Sequence, residues 1–220
     1  MKRVAVDFFI TTMRESTKNM ERPAALRIIE RYGNMPYLVL ISCILSLRTK
    51  DTVSYPASCR LFDLAKTPQE MIQLKIDTIE QSIYSVGFYR QKAKQIFALS
   101  LLLLEKYDGC VPCTLEQLLL LPGVGRKTAN LVLGYSFGIP AICVDVHVHR
   151  IANRWGIVAT KTPFETEEAL MRIVDKKYWI ELNTLMVMWG QNICLPINPR
   201  CSLCPLQSMC AKIGVLTKKN

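Results

Sequence analysis

The sequence lacks the long apolar runs that would place it in a membrane. A spanning helix needs roughly 20 consecutive apolar residues, and the candidate runs at 38–47, 96–104 and 131–144 are too short or are broken by glycine, proline or serine. No linker rich in Gly, Ser or Pro divides the chain, and no internal repeat is visible. We therefore expect a cytoplasmic protein that does not contact a membrane.

Acidic residues are scarce relative to basic ones. Lys and Arg number 28 and Asp and Glu 18, which gives a net charge of +10 over 220 residues. Half of the residues are hydrophobic, which excludes a disordered chain and allows a sizeable core. The basic balance indicates a polyanionic partner such as a nucleic acid, although an enzyme that is merely basic has the same composition.

Strand patterns are also missing. The apolar residues recur with helical spacing, and no sustained alternation of apolar and polar residues is present. Thr67, Asp77, Thr114 and Thr162 stand where helix N-caps are expected, all four with Glu or Gln three residues later. About ten helices joined by short loops follow from these signals, so the sequence predicts an all-α fold.

Histidine is rare, whereas cysteine is abundant and unevenly placed. The two histidines lie outside the tail, and four of the nine cysteines fall within seventeen residues there, as Cys-x6-Cys-x2-Cys-x5-Cys: Cys194, Cys201, Cys204 and Cys210. An odd cysteine count without a secretory context argues against a disulfide framework. One compact loop of four thiolates suits a cubane iron–sulfur cluster, since structural zinc usually uses two separated close pairs. Zinc and four unligated core cysteines remain alternatives, and the isolated pair Cys110 and Cys113 is interpreted as incidental.

A glycine-rich turn between two predicted helices is the second motif. The segment 121–130 reads Leu-Pro-Gly-Val-Gly-Arg-Lys-Thr-Ala-Asn. Gly123 and Gly125 allow a tight turn close to a ligand, and the following helix N-terminus attracts phosphate. A nucleotide-binding P-loop is excluded because Arg126 separates Gly125 from Lys127. The helix N-terminus and burial disfavour the ammonium form of Lys127, which predicts either a nucleophilic amine or a phosphate contact.

Asp145 is the third candidate. It precedes a predicted helix that begins Val-His-Val-His-Arg. Its carboxylate is expected to cap that helix, and the same fixed carboxylate could stabilise a cationic sugar or transfer protons. The sequence leaves both interpretations open.

Together, these three motifs resemble the endonuclease III family of DNA-repair glycosylases, over roughly residues 20–212. The turn is similar to the family's helix–hairpin–helix, the Asp145 region to its catalytic aspartate, and the tail to its cluster loop. The resemblance implies two helical lobes. One is a six-helix barrel domain with the hairpin, over residues 28–141, and the other is a [4Fe-4S] cluster domain formed by 1–27 and 142–220.

The resemblance also implies a bifunctional enzyme that acts as a monomer on double-stranded DNA with damaged bases or abasic sites. Such an enzyme would be associated with the nucleoid if the protein is bacterial. Lys127 would displace an oxidised pyrimidine through a Schiff base and nick the strand 3′ to the abasic site by β-elimination, with assistance from Asp145. The hairpin would hold a DNA phosphate through Gly123, Val124, Gly125 and Arg126.

Three positions depart from the familiar pattern of the family. Arg48 replaces the usual Gln that fills the gap left by a flipped base, and Phe88 replaces the usual Leu wedge. Arg200 is the one basic residue of the loop between Cys194 and Cys201, which is often richer in Lys and Arg. Three other hypotheses remain: a monofunctional mismatch glycosylase, a DNA-binding protein without catalysis, and an electron carrier of ferredoxin type.

Overall fold

The computed structural model describes residues 3–215, and every regular element within them is helical. The predicted all-α fold is confirmed. Contacts divide the chain into two compact units, which we call the terminal unit (Met1–Arg22 with Pro140–Asn220) and the central unit (Pro23–Ile139). The assignment of a cluster domain and a barrel domain to residues 1–27 with 142–220 and to 28–141 stays a prediction.

The central unit contains eight α-helices, six of them seven residues or longer. They are α2 (Ala24–Tyr32), α3 (Pro36–Ser46), α4 (Asp51–Phe62), α5 (Pro68–Met71), α6 (Ile76–Ser82), α7 (Tyr89–Tyr107), α8 (Leu115–Leu119) and α9 (Arg126–Phe137). The terminal unit contains α1 (Arg3–Thr17), α10 (Val146–Trp155), α11 (Pro163–Ile173) and α12 (Trp179–Asn192), with short 3-10 helices at Lys176–Tyr178, Cys201–Leu203 and Gln207–Met209. No described helix is long and apolar enough to cross a membrane.

Most predicted N-caps are confirmed, and one is wrong. Thr67 forms a full capping box with Glu70, and the side chains of Thr114 and Thr162 also accept backbone N–H groups at the starts of α8 and α11. Asp77 is not a cap, because α6 begins one residue before it and Lys75 occupies the N-cap position. A carboxylate in the first turn is also favoured by the helix dipole, so the sequence pattern fits both placements.

Helix α3 lies at the centre of the central unit. All of its residues from 37 to 45 are buried, as expected for a helix that is apolar on every side. Helices α2, α4, α7 and α9 pack around it. As a result, α3 supports both the start of α9 and the loop at 47–50 that follows its own C-terminus.

Aromatic packing organises the core of the terminal unit. Phe9 stacks on Trp155 with ring centroids 4.7 Å apart, and Trp155 meets the edge of Trp189 at 6.2 Å. Cys194 and the fully buried Leu206 belong to the same core. Burying a leucine side chain contributes about 1.5–3 kcal/mol, so the cysteine-rich tail is attached to the folded unit by its own apolar residues.

Candidate functional site

The predicted hairpin is a short helix, a tight turn and a longer helix. Thr114 Oγ1 accepts the Gln117 N–H at 3.3 Å and starts α8, and Val124 N donates to Leu121 O at 3.1 Å within the turn. Helix α9 then begins after Gly125, which caps it without a side chain. The first N–H groups of any α-helix lack an acceptor within the helix, and they carry its positive dipole end.

The two glycines of the turn occupy different environments and play different structural roles. Gly123 has φ +74°, and a Cβ there would lie 1.7 Å from Gln95 Nε2. Gly125 has an ordinary φ of −94°, and a Cβ on it would meet nothing within 4 Å. Gly123 therefore shapes the turn, whereas Gly125 leaves space on its exposed side for a group that approaches the start of α9.

Lys127 is the second residue of α9 and is half-buried. Its ammonium is close enough to the buried thiol of Cys43 on α3 to affect it. Burial raises the pKa of Cys43 to about 12, and the charge of Lys127 opposes this shift. Lys127 therefore lies at the edge of the α3–α9 contact, at the helix end where phosphate binding is favoured.

Asp145 caps α10 in the terminal unit. Its Oδ1 accepts the backbone N–H groups of His147 and Val148, both at 2.9 Å. The residue is 8% exposed. The capping prediction is confirmed, and the cap uses Oδ1 alone, so the second oxygen, Oδ2, is outside it.

The four tail cysteines line one cavity, together with Arg154, Trp155 and Lys212. Burial raises the pKa of the Cys204 and Cys210 thiols, and the neighbouring cysteines act in the same direction. Thiols that disfavour each other's ionisation are stabilised as thiolates by a shared cationic group. Among the described residues, no three or more His, Cys, Asp or Glu side chains are placed so that they could hold one metal ion.

Two arginines of α10 tie the first cysteine to this helix. Arg154 is buried, and its Nη1 lies 3.5 Å from Cys194 Sγ and donates to Leu195 O at 2.6 Å. Arg150 Nη2 donates to Cys194 O at 2.9 Å. Burial lowers the pKa of the Arg150 guanidinium, and the charge of Asp145 opposes this shift. Neither arginine is singled out by the sequence, because each is part of an ordinary helical pattern.

Two of the three departures from the family pattern, Arg48 and Phe88, lie next to each other in the central unit. The Arg48 guanidinium lies 5.6 Å from the centroid of the Phe88 ring, and both side chains are exposed. Both residues have a left-handed backbone, with φ +53° and +60°. Arg200 belongs to the terminal unit, is exposed, and borders the cysteine cavity.

Lys92 is a further residue that sequence reasoning missed. It is 5% exposed, and its Nζ donates to Leu45 O at 2.9 Å and Leu47 O at 2.6 Å. Burial lowers its pKa to about 8. The sequence shows a lysine in the first turn of α7, which is ordinary on a solvated helix face.

The hairpin, the capped aspartate and the four-cysteine tail define a class of helical DNA-repair protein, and comparison with known families agrees. Residues 41–176 match the family described as HhH-GPD superfamily base excision DNA repair protein, and the chain belongs to this superfamily. It is 50% identical to endonuclease III of Thermotoga maritima over 175 residues, which cover 80% of this chain and 82% of that one. Within the superfamily, it is therefore an endonuclease III-type DNA glycosylase.

Other relatives and solved structures extend this result. The chain is 39% identical to endonuclease III of Bacillus subtilis, over 80% of each protein, and 44% identical to endonuclease III-like protein 1 of Bos taurus, of which the match covers 58%. A trapped covalent endonuclease III–DNA intermediate superposes with a TM-score of 0.83 at 32% identity, covering 96% of this chain and 97% of that one. A thermostable thymine-DNA glycosylase has a TM-score of 0.80 at 24% identity and shows the fold alone.

Proposed function

We propose that the protein is a bifunctional glycosylase and AP lyase that removes oxidised pyrimidines from double-stranded DNA. The observation that carries the proposal is the position of Lys127 in the first turn of α9, two residues after Gly125, where the backbone leaves open space. A phosphate bound by the hairpin would hold the DNA strand beside this amine. The solved covalent endonuclease III–DNA intermediate supports the same chemistry.

In the proposed reaction, Lys127 Nζ attacks C1′ of the damaged nucleotide. The new C–N bond forms as the glycosidic bond breaks, and the base leaves with the bonding electrons and takes up a proton. The C1′–O4′ bond then breaks as the nitrogen lone pair forms the C=N bond, the nitrogen gives up a proton and O4′ takes one up, which opens the sugar ring and yields the Schiff base. The Schiff base loses a proton from C2′, and the 3′ phosphate leaves by β-elimination, which nicks the strand. Gly123, Val124, Gly125 and Arg126 would hold the backbone phosphate at the helix N-terminus.

Asp145 would assist base departure through its carboxylate. A positive charge develops on the sugar as the base leaves, and a fixed negative group stabilises it. The two backbone hydrogen bonds to Oδ1 fix the carboxylate at the start of α10. Because a carboxylate favours the charged form of a lysine, the proposed role of Asp145 is in the transition state and not in activating Lys127.

We further propose that Cys194, Cys201, Cys204 and Cys210 hold a [4Fe-4S] cluster. Four thiols around one cavity suit a cubane, and the donors near the sulfurs support it: Arg154 Nη1 at 3.5 Å from Cys194 Sγ and the Lys212 N–H at 3.3 Å from Cys210 Sγ. When bound, the cluster would cross-link the tail and would transfer no electrons to substrate.

Three further residues are proposed to contact DNA. Arg200, on the rim of the cysteine cavity, would contact the DNA, and Arg48 and Phe88 would enter the duplex.

Borohydride trapping tests the lysine mechanism. The purified protein is incubated with duplexes that carry one oxidised pyrimidine or one abasic site, and the matched variants are Lys127→Ala and Lys106→Ala, the latter at an exposed position of α7. We expect a covalent adduct and strand nicking for the wild type and Lys106→Ala, and neither for Lys127→Ala. Base release without an adduct would indicate a monofunctional glycosylase, and duplex binding without base release a protein that only binds DNA.

Iron and sulfide analysis tests the cluster. We expect close to stoichiometric iron and sulfide in the wild type, and loss of both together with a lower melting temperature in Cys204→Ser. Cys110→Ser, at an exposed position, is the matched control and should change neither the iron and sulfide content nor the melting temperature. One equivalent of zinc without sulfide would contradict the cluster and support the alternative metal.

A further inference from the structure

Two surface loops of the central unit carry strained residues. Arg48 follows the C-terminus of α3, and Phe88 is the N-cap of α7. Both have a left-handed backbone, which is unfavourable for residues other than glycine and persists only where the surroundings impose it. The Arg48 guanidinium and the Phe88 ring lie 5.6 Å apart, so the two loops present their exposed side chains as a pair.

A threonine and a glycine join the two loops. Gly87 N donates to Thr49 Oγ1 at 3.1 Å. A Cβ on Gly87 would lie 3.0 Å from Arg48 O and 3.3 Å from Thr49 Oγ1. The two backbones therefore approach as closely as a glycine permits, immediately beside both strained residues.

Lys92 contacts the loop after α3 and the start of α7 from their buried side. Its Nζ donates to Leu45 O and Leu47 O at the end of α3 and lies 3.4 Å from Thr49 Oγ1. The last carbonyl groups of a helix have no partner within it, and a buried cation satisfies them. Its own backbone N–H donates to Phe88 O at 3.0 Å in the first turn of α7. Lys92 is thus bonded to both loops.

We propose that Lys92 is a positioning residue that holds Arg48 and Phe88 as one preformed unit, which enters the duplex when a damaged nucleotide is extruded. The inference rests on the proposed function. Its three acceptors are neutral oxygens, so the lysine fixes geometry and is not part of an ion pair. Insertion between base steps requires unstacking, and a pair held in place beforehand loses little conformational freedom on insertion.

The test compares DNA that must be opened with DNA that is already open. Lys92→Met removes the cation, and Thr49→Val removes the shared hydroxyl with little change of shape. Tyr37→Phe is the matched control, since it removes a buried 2.6 Å hydrogen bond to Ser100 in the same unit, away from the loops. Each variant is measured for single-turnover base release from a damaged duplex, for nicking of a single-stranded abasic oligonucleotide, and for fluorescence of a 2-aminopurine opposite the lesion.

We expect Lys92→Met and Thr49→Val to lower duplex base release by about tenfold or more, because misplacement by about 1 Å is costly to reaction geometry. The 2-aminopurine signal should fall in parallel, whereas single-strand nicking and all activities of Tyr37→Phe should stay near wild type. The double variant should be less impaired than the product of the two single effects.

Two results would overturn the inference: unchanged duplex activity and fluorescence in folded variants, or an equal loss on duplex and single strand. The second result would show that Lys92 merely supports the fold. A wild-type protein inactive on both DNA forms would instead contradict the proposed function itself, and this inference with it.

Discussion

Replacing Gly123 with alanine is the sharpest test of how the hairpin is built. Gly123 has φ +74°, and a left-handed backbone costs an L-residue about 1–2 kcal/mol. The new Cβ would also lie 1.7 Å from Gln95 Nε2. The Gln95 amide is the end of a flexible side chain and can move, so this overlap adds less than a backbone clash would. We expect a total loss of about 1–3 kcal/mol in the free energy of unfolding.

Gly125→Ala is the matched control two residues away. Its φ of −94° suits alanine, and its Cβ would meet no atom within 4 Å. Alanine is a poorer N-cap than glycine, but it also reduces the entropy of the unfolded chain by a comparable amount. The two effects offset each other, and we expect stability within about 0.5 kcal/mol of the wild type.

Thermal unfolding, followed by circular dichroism, measures the difference. For a chain of this length each kcal/mol shifts the melting temperature by about 2–4 °C, so Gly123→Ala should melt about 2–12 °C lower and Gly125→Ala close to the wild type. Equal melting temperatures for both variants, or a larger loss for Gly125→Ala, would refute this account of the turn. Gly125→Ala should nevertheless weaken duplex binding, because its methyl group occupies the open side where a phosphate would approach.

Three further predictions concern charged residues. Asp145→Asn keeps a capping oxygen, so its free energy of unfolding should stay within about 1 kcal/mol of that of the wild type. Single-turnover base release should nevertheless fall strongly. Full activity would show that Asp145 is a cap alone. Arg126→Ala should reduce the slope of log affinity against log salt by about 1 in duplex titrations, and an unchanged slope would remove it from the phosphate contacts. Burial lowers the pKa of Lys92 to about 8, so the cost of burying its charge applies below that pH and disappears as the pH approaches its ordinary value of about 10.4. Urea unfolding should therefore show wild-type stability rising relative to Lys92→Met between these pH values, and a constant difference would contradict this.

The features that sequence predicted correctly are local ones. The capping box at Thr67, the start of α9 after Gly125 and the cap at Asp145 each depend on residues within four positions of one another. Local hydrogen bonds of this kind are encoded by residue type and spacing. The wrong N-cap prediction at Asp77 shows the limit of local sequence patterns. A carboxylate is stabilising at the N-cap, where it accepts backbone N–H groups, and also within the first turn, where it interacts with the helix dipole, so its presence does not fix the first residue of the helix.

The features that sequence could not predict depend on distant carbonyl groups. Lys92 donates to oxygens more than 40 positions away, as does Arg154 to Leu195 O and Pro196 O. A lysine or arginine on a helix is normally a solvated residue. Only the tertiary fold turns these two side chains inward, where unsatisfied helix ends and loop carbonyls need a donor.

Helix α10 brings the two sequence interpretations of Asp145 together. The cap fixes the carboxylate through Oδ1, and the same helix carries Arg150 and Arg154, which donate to the loop of Cys194. The order of the cysteine-rich tail therefore bears on the position of the helix that begins at Asp145. A structural metal centre in the tail would then matter for catalysis without exchanging electrons, because it would fix the helix whose first hydrogen bonds orient the carboxylate.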